Sequence, residues 1–256
     1  MENLSELKVN VFQFDIQWLK PQRNISIIHN HIVSLEDKPD LVVLPEMYLT
    51  GFCMDAQKSG IRENSIEINE LIEIAKANDI AIMGSLAIQE EDAFYNRVLL
   101  ISGKGIIGRY DKQFLYSPSG ENVAFSCKHD SQLIHYKGWK LLPQVCYDLR
   151  FPENVRSLSP PDLLIYMANW PAPRINHWDS LIKARAIENQ CYTIGCNRVG
   201  KDENDWIYPG HSTIVRYDGE IIFEVKESEF MCISLSKHDM VEYRSKYRFL
   251  DDKRKK

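Results

Sequence analysis

The stretch Trp139-Lys140-Leu141-Leu142-Pro143-Gln144-Val145-Cys146-Tyr147-Asp148-Leu149-Arg150-Phe151-Pro152-Glu153 decides how the chain is built. Its apolar opening reads as a buried strand. Pro152 followed by Glu153 reads as the first turn of a helix, because proline suits the first helical position and acids favour that end. Cys146 therefore falls at a strand-to-helix corner. Helix-terminal amides and nearby cations would favour the thiolate there, below the reference value of roughly 8.5. The following N–H groups would point at whatever the sulfur attacks. The competing reading is a small buried hydrophobe, the commonest fate of a free cysteine. Pro143 has no amide hydrogen to give, which marks an edge or bulge position.

Upstream, residues 132–136 and the turn Lys137-Gly138 make this strand the second arm of a hairpin. Downstream, residues 162–167 form an apolar strand ending in Ala168-Asn169-Trp170, and the loop 171–174 is stiffened by Pro171 and Pro173. A helix then spans about 177–190, with Trp178, Leu181, Ile182 and Ala186 inward. Residues 192–196 are strand, 201–209 a polar loop, and Asp218-Gly219 turns 213–217 into 221–225; a strand over 230–235 ends the series. In the N-terminal half, strands are expected over 8–16, 41–44 and 80–88, separated by helices opening at Pro21 and spanning 65–78. Strand-helix-strand order with strands apolar on both faces argues for an α/β fold with a largely parallel, helix-covered sheet. Residues 97–101 and 106–110 around Gly103-Lys104-Gly105 read as an antiparallel hairpin, and 113–130 as an irregular loop of a length that is often functional. With no repeat or linker, residues 1–256 read as one domain, with 236–256 as a C-terminal extension.

The 256 residues are 44% apolar and 26% charged, as in ordinary globular proteins. A net charge of −5 argues against a nucleic-acid surface; the one basic run, Lys253-Arg254-Lys255-Lys256, reads as a solvated end. The opening, Met1 to Lys8, is polar and acidic, unlike a secretory signal. No apolar run approaches the ~18 residues needed to span a bilayer, so the expected location is the cytoplasm. The six cysteines (53, 127, 146, 191, 196, 232) form no C-x-x-C pair. They are expected to be free thiols, without zinc or disulfides.

Glu46, Lys112 and Cys146 all fall at apparent strand ends. Together they suit attack on an unactivated amide, which needs a nucleophile, a base that takes and returns a proton, and a cation or N–H groups facing the developing oxyanion. Singly, each has a commonplace reading: a loop acid, a surface lysine, a buried thiol. His129, His135, His177 and His211 sit in no motif that would make one the partner of the thiol.

Leu44-Pro45-Glu46-Met47, Tyr110-Asp111-Lys112 and Cys146 through Glu153 resemble, in order and spacing, the three signature blocks of the nitrilase superfamily of carbon–nitrogen hydrolases. Asn169 to Arg174, His177-Trp178, Lys183 to Gln190, Asn197 to Gly200 and Gly210-His211-Ser212 resemble its bacterial omega-amidase branch. The resemblance implies a four-layer α-β-β-α sandwich that pairs into a homodimer, with the helices after Pro152 and His177 as the interface. It assigns Glu46 as base, Lys112 as oxyanion stabiliser, Cys146 as nucleophile, and Glu121 as the second glutamate that fixes the lysine. It further implies hydrolysis of a small-molecule amide, 2-oxoglutaramate or 2-oxosuccinamate, to the acid and ammonia through a thioester, without metal or cofactor. The Tyr147 N–H is the oxyanion donor expected beside the sulfur. For a substrate carboxylate, Arg174 is the candidate cation, the alternative being an arginine paired on the surface. Trp170 and Phe114 are candidate aromatic walls, the alternative being core packing. Lys112-Gln113-Phe114-Leu115-Tyr116 stands where omega-amidases commonly have Lys-Arg-His-Leu-Phe, which leaves the triad intact and changes the pocket wall. The alternatives are another carbon–nitrogen substrate, such as an N-carbamoyl compound, an aliphatic amide or a nitrile, or a non-catalytic metabolite-binding protein on the same fold.

Overall fold

In the computed structural model, which describes residues 6–128, 132–156, 159–225 and 231–252, two six-stranded sheets lie face to face. The first contains β1 (Glu6–Val11), β2 (Leu41–Val43), β3 (Ala81–Glu90), β4 (Ala93–Ser102), β5 (Gly105–Asp111) and, from the far end of the chain, β14 (Cys232–Ser236). Their order is β14-β1-β2-β3-β4-β5, with β1, β2 and β3 parallel. The second sheet contains β6 (Ile134–Tyr136), β7 (Trp139–Val145), β8 (Leu163–Ala168), β9 (Tyr192–Asn197), β12 (Thr213–Val215) and β13 (Ile221–Glu224). It is ordered β13-β12-β9-β8-β7-β6, again with a parallel centre, β7, β8 and β9.

Successive side chains of a strand face opposite ways, so central strands apolar at every position need cover on both faces. Leu41, Val43, Ala81 and Met83 pack against Leu142 and Val145 of the second sheet. Val42, Leu44 and Ile82 pack instead under α1 (Pro21–Ser34) and α3 (Ile66–Asn78), against Ile28, Ile32, Ile68 and Leu71. Both helices begin where the sequence says they should: Pro21 opens α1, and the Ser65 hydroxyl accepts from the Ile68 amide to cap α3. The second sheet is covered by α6 (Ile175–Asn189) through Trp178, Ile182 and Ala186. Gly195 lets that helix close in, since a Cβ there would lie 2.7 Å from the Trp178 ring. The layers are thus α-β-β-α. The remaining helices, α2 (Ala56–Ser59), α4 (Glu121–Ala124) and α5 (Pro152–Arg156), are single turns in loops, and α7 (Lys237–Lys246) follows β14. Among the described residues no helix is long and apolar enough to cross a membrane.

Several local expectations are corrected. The first strand ends at Val11: β2 is three residues long, so once the Phe12 amide has bonded to the Val43 carbonyl the chain leaves the sheet. Phe12, Phe14 and Ile16 are buried beside α1. The strands expected over 80–88 and 97–101 are two arms of one hairpin, β3 and β4, paired over their whole length. The turn between them escaped notice because Glu91, not glycine or asparagine, takes its positive φ of 53°. Pro143 is accommodated because the β6 ladder stops at Leu141, leaving β7 with one partner strand there. The polar loop folds back as a two-stranded sheet of β10 (Val199–Lys201) and β11 (Ile207–Pro209). The C-terminal extension lies on its own chain: Met240 is buried, and the Arg244 guanidinium donates to the Gln190 and Pro161 carbonyls. Met1 to Ser5, His129, Phe230 and the basic tail 253–256 lie outside the described residues.

One buried group makes the fold sensitive to acid. His31 on α1 meets Asn10 of β1 (Nε2 to Oδ1 2.7 Å), and burial pushes its pKa down from 6.5 to about 4. The unfolded chain takes this proton first, so the stabilisation is present above pH 6.5 and is lost as pH falls toward 4. A shift of that size is worth about 3 kcal/mol at most. Chemical denaturation at pH 7 and 4.5 should show this loss, and His31→Gln should reduce it; an unchanged pH dependence would refute the assignment.

Candidate active site

The three side chains singled out in the sequence converge where strand ends of the two sheets meet. Glu46 lies three residues past the end of β2, Lys112 directly after β5, and Cys146 directly after β7. The corner at Glu46 is held by Met47, whose φ is +47° and whose amide donates to the Ser85 hydroxyl at 3.0 Å. The corner at Cys146 is held by the cysteine itself, at φ +44°. A non-glycine residue in that region costs on the order of 1–3 kcal/mol and persists where the surroundings enforce it.

What enforces it is Asp148. Residues 146–150 form a 3₁₀ turn rather than entering the helix directly, and the buried Asp148 carboxylate closes the turn. It accepts from the Val145 amide (2.8 Å), the Tyr110 hydroxyl (2.8 Å) and the Phe114 amide (2.9 Å). Burial pushes its pKa up to about 6 even so. From the far side, the Arg185 guanidinium of α6 donates to the Leu149 carbonyl at 2.5 Å. The Tyr147 amide lies in the first turn, where N–H groups have no partner within the helix.

Glu46, Lys112 and Glu121 are fully buried. The Lys112 ammonium donates to Glu46 Oε1 at 2.9 Å and to Glu121 Oε1 and Oε2 at 3.0 and 2.8 Å. Burial alone would push its pKa down, but the charges of Glu121 and Glu46 outweigh it and hold the amine protonated. Glu46 Oε2 accepts from the Asn169 amide at 2.9 Å, just past the end of β8. Glu121 opens α4 after Gly120, whose φ of +80° makes the turn, and accepts from the Tyr116 amide at 2.6 Å.

The thiol departs from expectation. Its pKa is raised well above the ordinary cysteine value, first by burial, then by the charge of Glu46, which the Lys112 cation offsets only in part. Burial and the adjacent carboxylates together outweigh the ammonium, so the resting sulfur keeps its proton. Local reading of the corner saw the turn amides and the lysine but not both acids.

Cys146 is half-buried at one wall of a cavity of about 630 Å³. Tyr147, Trp170 and Arg174 line it. Arg174 sits between the rings of Tyr116 and Trp206, 5.6 and 5.8 Å from their centroids. A second cation, Arg150, also lines it, 4.8 Å over Trp170. Among the described residues neither arginine is in an ion pair, which leaves two cations in the cavity without acidic partners. Phe114 lies outside it: the ring stacks on Phe151 at 3.8 Å, behind Tyr147. Its amide donates to Asp148 Oδ1 at 2.9 Å.

The Carbon-nitrogen hydrolase family profile matches residues 8–244. The chain belongs to the nitrilase superfamily of carbon–nitrogen hydrolases, in its omega-amidase branch. It is 42% identical to an omega-amidase of Yersinia enterocolitica over 85% of this chain and 84% of the relative. It is 30% identical to the 2-oxoglutaramate amidase of Bacillus subtilis over 96% and 97% of the two chains. Among solved structures, a CN-hydrolase superfamily protein of Xanthomonas campestris, with an arsenic adduct in its active site, superposes with a TM-score of 0.90 at 29% identity, covering 96% of this chain and 97% of that one.

Sequence reasoning about this carbon–nitrogen hydrolase missed Asn96, whose amide touches both glutamates, and gave no role to Asp148, Asn169 or Arg150, although it quoted their blocks. For Asn96 the sequence carried no distinct signal: it stands beside Arg97 in a strand arm of mixed polarity, and its partners lie 50 and 25 positions away.

Proposed function

We propose that the enzyme is an omega-amidase, cleaving the terminal amide of a small 2-oxo dicarboxylate monoamide such as 2-oxoglutaramate or 2-oxosuccinamate. The observation that carries this reading is a half-buried thiol, set against two glutamates and a lysine, opening on a cavity with two cations that lack acidic partners. Glu46 takes the thiol proton as sulfur bonds to the amide carbon, while the Lys112 ammonium and the Tyr147 N–H stabilise the oxyanion. Glu46 returns the proton to the leaving nitrogen, the C–N bond breaks, and ammonia departs from a thioester. A water that gives its proton to Glu46 then attacks the thioester, releasing the acid and restoring the thiol. Glu121 keeps the ammonium in place through both halves of the reaction.

Arg174 and Arg150 take the far carboxylate. A charge-assisted hydrogen bond of about 1.5–3 kcal/mol corresponds to roughly 10- to 100-fold in affinity. Arg174→Ala and Arg150→Ala should each raise KM for 2-oxoglutaramate by that range while leaving KM for a neutral aliphatic amide within about twofold. Unchanged KM in both variants would remove the arginines from substrate binding. Ammonia release across oxo-amides, aliphatic amides, N-carbamoyl compounds and nitriles tests the substrate class itself: the oxo-amides should show the highest kcat/KM, and a neutral substrate turned over faster would move the assignment to another carbon–nitrogen bond.

A further inference from the structure

We propose that Asn96 is a positioning residue that sets the orientation and basicity of Glu46; the proposal rests on the reading of Glu46 as the base. Asn96 lies in β4 and is fully buried. Its Nδ2 donates to Glu46 Oε1 at 2.8 Å and to Glu121 Oε1 at 2.9 Å. Those same two oxygens accept from the Lys112 ammonium, at 2.9 and 3.0 Å. The two carboxylates are therefore bridged twice, once by a cation and once by a neutral amide. The Asn96 backbone carbonyl also accepts from the Lys112 amide at 2.9 Å, so one residue fixes the base, the second acid and the root of the lysine. The amide can face only one way: flipped, Oδ1 would point at two carboxylate oxygens. In the orientation that serves the acids, Oδ1 is buried and has no partner among the described residues.

A neutral donor suits this place better than either alternative. A second cation would pair with Glu46 and suppress its uptake of a proton from sulfur. An apolar side chain would leave Oε1 to the lysine alone and let the carboxylate swing on Oε2. The other titratable groups around Glu46 are Lys112 after β5, Glu121 of α4, Cys146 after β7 and Tyr208 of β11. Of these, the lysine is the one that favours the charged carboxylate, so removing Asn96 should make Glu46 a stronger base held less firmly.

The test is ammonia release by Asn96→Ala between pH 5 and 9, alongside Glu46→Gln and Cys146→Ala. The acid limb of kcat/KM should move up by about one pH unit, the scale expected for one hydrogen bond to a charged group. kcat should fall by roughly 10- to 100-fold, as for outer partners of functional groups, with KM within about twofold. A residue that merely fills space would lower the rate without moving the limb. A folded Asn96→Ala enzyme whose acid limb coincides with that of the parent overturns the proposal. If the alanine variant does not fold, Asn96→Ser, which retains one donor, carries the same test with a smaller expected shift. Appreciable activity in Glu46→Gln or Cys146→Ala would instead sink the catalytic reading itself, so the two failures are distinguishable.

Discussion

Cys146→Ala is expected to fold like the parent and to lose ammonia release by a factor on the order of 10⁴ to 10⁶, the scale set by deleting a covalent nucleophile. The side chain removed is half-buried and small, so the packing it loses is slight. The acid and ammonium cluster behind it does not depend on sulfur for its hydrogen bonds: Glu46 keeps Lys112, Asn96 and Asn169. Circular dichroism and thermal unfolding should match the parent while the ammonia assay falls to background. Turnover within tenfold of the parent would exclude a thioester on this residue.

Lys112→Met is expected to damage both activity and stability. Methionine fills much of the space but leaves Glu46 and Glu121 facing one another in a fully buried site without a counter-charge. Breaking a buried ion pair from one side costs about 3–5 kcal/mol. For a chain of this size that is a fall in Tm of about 10 °C. The deficit should shrink as pH is lowered, because a bound proton can then take the place of the ammonium. Parental Tm at pH 8 in the methionine variant would show that the cluster carries no such electrostatic stress.

The blocks around Glu46, Lys112 and Cys146 were legible because each is local: a strand end, a proline, an acid, a cysteine, read from neighbours a few residues apart. Phe114 was misjudged for the same reason. It follows Lys112 by two residues, yet its amide bonds to Asp148, 34 positions on, and its ring stacks on Phe151, contacts that no local reading shows. The thiol was misjudged because both carboxylates that hold its proton come from elsewhere in the chain. Asn96 belongs to this class: its function consists of bonds to positions 46 and 121.

By itself the sequence determined an α/β chain with parallel, helix-covered strands, its family, and the placing of Glu46, Lys112 and Cys146 at strand ends, because apolar periodicity and short motifs are properties of adjacent residues; the four-layer sandwich was implied by the family resemblance. Tertiary structure alone decided the charge balance around the sulfur, the bridging asparagine and the second arginine in the cavity. These depend on distances across two stacked sheets, and electrostatic energy in a buried site is set by those distances rather than by order along the chain.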